Sequence, residues 1–139
     1  MNCIQCSTIL HTYQKKYCSN TCQKEYEYLT YITEWRQGIK SGIRGKSAKN
    51  ISRHLVRFLF DKYESKCSEC GWSKEHPETR RVPLEIDHID GDAENNQESN
   101  LRLLCPNCHS LTINYRNLNK GNGRLWRREK YVKIVKMPL

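Results

Sequence analysis

No stretch of this chain approaches the ~20 apolar residues that a membrane-spanning helix needs. The opening residues Met1-Asn2-Cys3-Ile4-Gln5-Cys6 also lack an apolar run of the kind that forms a secretory leader. The expectation is a soluble intracellular protein with no membrane partner. Apolar side chains are sparse, 37% of 139 residues. That excludes a large apolar core in every segment and leaves one ordinary domain, or two very small ones that need staples. Charge of one sign is missing in two places. Arg36 to Phe60 contains seven basic residues and no acid, whereas Leu84 to Asn100 contains six acids and neither Lys nor Arg.

Cysteine is plentiful: eight residues in pairs, Cys3/Cys6, Cys18/Cys22, Cys67/Cys70 and Cys105/Cys108. An even count also permits a secreted disulfide scaffold. The short paired spacings suit tetrahedral four-thiolate zinc sites better, and the absence of a leader agrees. Two structural Zn²⁺ ions are expected, one on Cys3, Cys6, Cys18 and Cys22, the other on Cys67, Cys70, Cys105 and Cys108. His11 lies between the first pairs, but four cysteines already fill a tetrahedron. His54 and His76 have no ligand-spaced partner and read as surface or structural.

The net charge is +9, and Ser110 to Leu139 carries eight basic residues against Glu129 alone. Basic arms around an acidic centre suit a protein that holds a polyanion around a cation. Solvated charged faces are the plainer alternative. Tryptophan and tyrosine within the second arm favour nucleic acid, with Arg44, Lys46, Arg53, Arg57, Arg116, Arg124, Arg127 and Arg128 as candidate contacts.

Along the chain, residues 3 to 22 form a knuckle whose Ile4, Ile9, Leu10, Tyr13 and Tyr17 can pack around the metal. Ser19 or Asn20 can cap a helix running to about Gly38, with Tyr28, Ile32 and Trp35 on one face. That stripe reads as core. The glycine-containing segment 37–48 is a basic linker, able to track phosphates or to serve as a tether. A second helix is expected over Lys49 to Glu64, with Ile51, Leu55, Phe58 and Leu59 sharing a face. Arg81 to Ile89 favours a strand, Asn100 to Leu104 a second, and Pro106 starts a helix toward Asn117.

The catalytic signal is Leu84-Glu85-Ile86-Asp87-His88-Ile89-Asp90-Gly91, then Asn100-Leu101, then Cys105-Pro106-Asn107-Cys108-His109. A carboxylate beside an imidazole, with a second imidazole nearby, suits a catalytic metal and a general base. This pattern resembles the HNH (ββα-metal) nucleases over roughly residues 51 to 118, with His88, Asn100 and His109 as the name-giving residues. The cysteine frame also looks like the phage endonuclease VII family, which has Asn where this chain has His109. The resemblance implies that Asp87 and His109 hold one divalent cation, Mg²⁺ or Mn²⁺, although the imidazole also admits Ni²⁺ or Co²⁺. It implies that His88 is the general base and that Asn100 holds the loop to the strands. Many HNH helices carry a second metal-binding side chain four residues on, here Ile113, so two protein ligands are expected. Asp90 and Asp92 read as loop formers that could assist the metal.

The expected fold is α+β: small zinc-stabilised modules, a four-cysteine N-terminal knuckle with helix plus a ββα-metal, treble-clef-like HNH domain. The modules run 1–36, 37–48 (linker), 49–118 (nuclease) and 119–139 (basic tail). The function implied is a DNA endonuclease leaving 5′-phosphate and 3′-hydroxyl ends on double-stranded DNA. It would be a monomeric nicking or homing-type enzyme of a phage or mobile element, working in the host cytoplasm. Two alternatives stay open: a nuclease selective for branched DNA or RNA, and a non-catalytic nucleic-acid-binding zinc protein.

Overall fold

The computed structural model describes residues 1–45 and 50–119. Lys46, Arg124, Arg127 and Arg128, and the basic tail from residue 120 on, lie outside the described residues. The chain forms two compact units, one of Met1–Ser41 and one starting at Gly42. The described architecture is mixed, with three α-helices, short 3₁₀ turns and one two-stranded antiparallel sheet, an α+β arrangement.

In the first unit, α1 spans Asn20–Arg36. Its start is set by Ser19, whose hydroxyl accepts from the Cys22 amide at 3.2 Å and satisfies one of the free N–H groups of the first turn. Its end is set by Gln37 and by Gly38, whose φ of +78° no longer continues a helix. Tyr28, Ile32 and Trp35, one helical stripe, are buried. The knuckle that precedes α1 departs from expectation. Ile4, Ile9 and Tyr13 are 51%, 78% and 80% exposed, so they do not pack around the cysteines. Backbone bonds hold the loop instead, Cys3 N to Thr8 O at 2.8 Å and Ile4 N to Lys16 O at 3.1 Å, and they turn these side chains outward.

In the second unit, α2 covers Arg53–Lys62, shorter than the periodicity predicts. Residues 50–52 are taken by an extended pairing with the end of the glycine-containing segment. Ile51 bridges Ile43, Arg44 N donates to Asn50 O at 2.7 Å, and Ser52 N donates to Gly42 O at 2.8 Å. Ser52 then caps α2 through its hydroxyl, which accepts from the His54 amide. At the other end, Glu64 and Ser65 adopt φ values of +51° and +55°, which stop the helix. Part of the segment read as a linker is therefore paired structure.

Strand β1 is Glu85–His88 and strand β2 is Leu101–Leu104, antiparallel, with Asp87 opposite Arg102 and His88 opposite Leu101. The strand expected from Arg81 begins late because Pro83 offers no N–H and Leu84 N folds back onto Val82 O. Leu101 and Leu103 of β2 are fully buried, as are Leu55 and Leu59 of α2, and β2 packs against that helix. At ~1.5–3 kcal/mol for each fully buried leucine, this small apolar layer is the main apolar support of the sheet. A second cluster joins Cys67, Leu104 and Cys105, with Leu84 and Cys108 against it. Helix α3 is Pro106–Ser110, not a helix reaching Asn117. Its last amides bond three residues back, Leu111 N to Cys108 O and Thr112 N to His109 O, while the Thr112 hydroxyl donates to the same His109 carbonyl. That competition closes the helix after one turn. Ile113 thus lies beyond the helix, 82% exposed.

The loop between the strands is held by its own polar groups. The Asn100 amide donates to Asp90 Oδ1 and to Asn95 O, both at 2.8 Å, and its oxygen accepts from Asp90 N at 3.0 Å. Beyond α3 the chain returns across this loop. Asn114 Nδ2 donates to Ile89 O at 3.0 Å, and Asn119 Nδ2 donates to Gly91 O at 2.7 Å. Gly91 is required here twice over. Its φ is +77°, and a Cβ would stand 2.4 Å from Asn119 Oδ1 and 2.9 Å from Asn114 Cγ. Gly91→Ala is expected to lower unfolding free energy by roughly 1–3 kcal/mol, read from urea denaturation. A midpoint equal to that of the unchanged protein would show that this strap does not hold the loop.

Candidate active site

All eight cysteines are free thiols, which rules out the disulfide alternative among them. They gather into two groups, Cys3/Cys6/Cys18/Cys22 and Cys67/Cys70/Cys105/Cys108, with sulfur atoms all within 4.8 Å of one another. The separations Cys6–Cys18 at 3.5 Å, Cys18–Cys22 at 3.4 Å and Cys70–Cys105 at 3.8 Å are near the ~3.8 Å edge of a tetrahedron with 2.3 Å zinc–sulfur bonds. Either group can hold a metal ion, and four thiolate donors fit zinc.

The thiol acidities point the same way. Burial pushes the Cys3 thiol up, but backbone hydrogen bonds from Cys18, Cys6 and Gln5 outweigh it and bring it to about 6. Burial likewise raises Cys67, and backbone bonds from Cys105, Cys70 and Glu69 bring it down to about 6. Cys18 is pushed up to about 12 by hydrogen bonding with Cys22 and Cys6, and Cys108 to about 12 by Cys70 and Cys105. Each quartet thus combines thiols that ionise early with thiols that keep their protons against their neighbours. Four thiolates at such distances repel, and a bound dication is what lets all four ionise.

The second quartet does more than staple. Cys67 and Cys70 precede the sheet, while Cys105 caps α3, its sulfur accepting from the Cys108 amide. His109 follows directly, so the quartet fixes where its ring emerges. His109 Nε2 lies 3.6 Å from Asp87 Oδ1. Two ligands each about 2.1 Å from one ion can stand up to about 4.2 Å apart, so the pair fits a shared cation. Asp87 is buried, and its other oxygen accepts from Arg102 Nε at 2.8 Å. Arg102 Nη1 donates to Glu69 Oε1 at 2.9 Å, tying Asp87 to the Cys67–Cys70 knuckle. Burial works against the Arg102 charge, but Asp87 and Glu69 more than compensate and raise its pKa. His109 Nδ1 pairs with Glu85, which leaves Nε2 directed at Asp87. Three carboxylates against one guanidinium leave two negative charges at this point, matching a divalent cation.

His88 alternates to the other side of β1 from Asp87. Its Nε2 is 2.9 Å from Oδ1 of the buried Asn96. The structure therefore brings Asp87 and His109 together, sets His88 on the opposite face of the same strand, and places Asn100 in the loop. Asp90 and Asp92 use their oxygens within that loop, on Asp92 N, Asn95, Asn100 and Glu94 N. Burial raises the Asp90 carboxyl, but these donors and the nearby His88 hold it below the ordinary carboxylate range. His76 Nδ1 accepts from the Glu78 amide, and His11 is outside the N-terminal metal group.

Glu85, Arg102 and Asn96 were not among the expected site residues. Glu85 was legible, being two residues before Asp87 on a predicted strand and so on its face. Arg102 needed the cross-strand register, and Asn96 had no signal apart from a polar loop. Of the expected nucleic-acid contacts, Arg44, Arg53, Arg57 and Arg116 are exposed, and Arg57 pairs with Asp61 at 3.6 Å.

A sheet of two short strands, a one-turn helix and a cysteine quartet around a carboxylate–imidazole pair define a small zinc-binding ββα unit. Residues 67–112 match the HNH endonuclease family model. Over 56 residues it is 46% identical to the H-N-H endonuclease F-TflIV of Escherichia phage T5, a stretch covering 40% of this chain and 24% of that protein. The chain thus spans about a quarter of the relative it matches. No solved structure matches it. Among the described residues no helix is long and apolar enough to cross a membrane.

Elemental analysis of purified protein is expected to find two zinc equivalents per chain. Cys105→Ser should unfold the second unit, since a structural zinc supplies much of a small module's folding free energy. Fewer than two equivalents in folded protein would refute the assignment.

Proposed function

We propose that this protein is a divalent-metal-dependent DNA endonuclease that leaves 5′-phosphate and 3′-hydroxyl ends, with two structural zinc ions. The observation that carries the reading is the 3.6 Å approach of His109 Nε2 to Asp87 Oδ1, inside the segment that matches the HNH endonuclease model. Mg²⁺ or Mn²⁺ suits this sparse oxygen-and-imidazole pair. When bound, the cation supplies stabilisation of charge on the phosphate and on the departing 3′ oxygen.

The protein groups divide the remaining work. Asp87 offers one oxygen because Arg102 holds the other, and Glu85 fixes the His109 ring through Nδ1. An amide oxygen only accepts, so Asn96 Oδ1 calls for hydrogen on His88 Nε2 and leaves the Nδ1 lone pair for a water proton. That water attacks phosphorus in line with the leaving oxygen. Asn100, bonded to Asp90 and Asn95, keeps the intervening loop in register behind His88.

His88→Ala should abolish cleavage, a loss of ~10²–10⁴-fold for a general base, while leaving DNA binding and fold unchanged. Asp87→Ala and His109→Ala should also be inactive, with partial rescue by high Mn²⁺ confined to these two. A near-normal rate for His88→Ala would reassign the base.

With one Asp87–His109 pair per chain, a monomer cuts one strand at a time, whereas a double-strand cut needs a second site because the strands are antiparallel. We therefore read the protein as a monomeric nicking enzyme of the homing type, encoded by a phage or mobile element and acting in the host cytoplasm. On supercoiled plasmid with Mg²⁺, open circle should form first and linear product later. Direct conversion to linear DNA would exclude a nickase.

A further inference from the structure

We propose that Arg116 is a phosphate-binding residue of this site, donating to a backbone phosphate beside the one being cut. The assignment rests on the DNA-nuclease reading and adds a residue beyond the segment that matches the HNH model, which ends at 112. Three observations converge on it. The Tyr115 ring meets the His109 ring edge-on, 5.2 Å between centroids at 82°. The Arg116 guanidinium lies 5.0 Å from the centroid of that same Tyr115 ring. The chain carrying them is pinned on both sides of Arg116 to the backbone just after His88, through Asn114 to Ile89 O and Asn119 to Gly91 O.

Arg116 itself has a φ of +48°, a left-handed conformation in which a long side chain is unusual and glycine would be relaxed. Non-glycine residues in this region end helices, as Glu64 and Ser65 do, and are also enriched at active sites and ligand clamps. The ring contact satisfies none of the five guanidinium N–H donors, and no carboxylate among the described residues pairs with Arg116. Its donor geometry suits the paired oxygens of a phosphate.

The test uses the full-length His88→Ala protein with a labelled mixed-sequence DNA duplex and Mg²⁺, titrated across a range of NaCl concentrations. Adding Arg116→Gly should reduce the slope of log affinity against log salt by about one unit. The melting temperature should stay within about 3 °C, since the relieved strain offsets the added backbone freedom of glycine. Arg116→Lys should keep the slope. In the otherwise unchanged enzyme, Arg116→Gly should slow plasmid nicking. A slope unchanged by Arg116→Gly would overturn the proposal whatever the stability. If that variant fails to fold, Arg116→Gln, which removes the charge but keeps the side-chain stem and the strained backbone, carries the same slope test. Failure of the His88→Ala parent to bind DNA at all would overturn the nuclease reading and this assignment with it.

Discussion

The position of His109 depends on the cysteine quartet that surrounds the start of α3. Helix α3 is one turn long and none of its residues is buried, so it has no apolar face with which to dock itself. What seats it is Cys105 at its cap and Cys108 within it, gathered with Cys67 and Cys70 from the segment that precedes the sheet. Cys67, Leu104 and Cys105 are buried together, so the sulfur cluster and the inner end of β2 form one body. A side chain immediately after such a cluster inherits its rigidity, and the ring of His109 is that side chain.

Electrostatics then decides how Asp87 is presented. Arg102 holds one oxygen at 2.8 Å and leaves the other toward His109. The same guanidinium reaches Glu69 between two zinc-ligand candidates, so the carboxylate and the cysteine frame are linked by charge as well as by chain. Glu85 completes the arrangement on the far nitrogen of His109. Two carboxylates that touch no shared atom thereby orient one imidazole–carboxylate pair.

His88 is supported from another direction. The loop behind it is a network of Asp90, Asn95 and Asn100, and the returning chain at Asn114 and Asn119 closes over it. The close approach at Gly91 leaves room for no side chain. The consequence is that His88 and the Asp87–His109 pair lie on opposite sides of one four-residue strand, each anchored by a different set of partners.

Much of this was present in the order of residues. The cysteine spacings, the Asp87-His88 pair, Asn100, His109 and the stripe Tyr28, Ile32, Trp35 are local patterns, and local patterns survive in one dimension. The lengths of α2, β1 and α3 were not legible, because each is cut by a competing bond whose partner lies elsewhere or whose side chain turns inward: Ile51 to Ile43, Leu84 to Val82, Thr112 to His109. Nor could the sequence announce Arg102 or Asn96, which act only because an antiparallel register and a folded loop carry them to Asp87 and His88. The sequence by itself determined which groups are available for chemistry. Tertiary structure alone decided which oxygen, which ring nitrogen and which face each group presents, because those depend on distances across the fold that no spacing along the chain encodes.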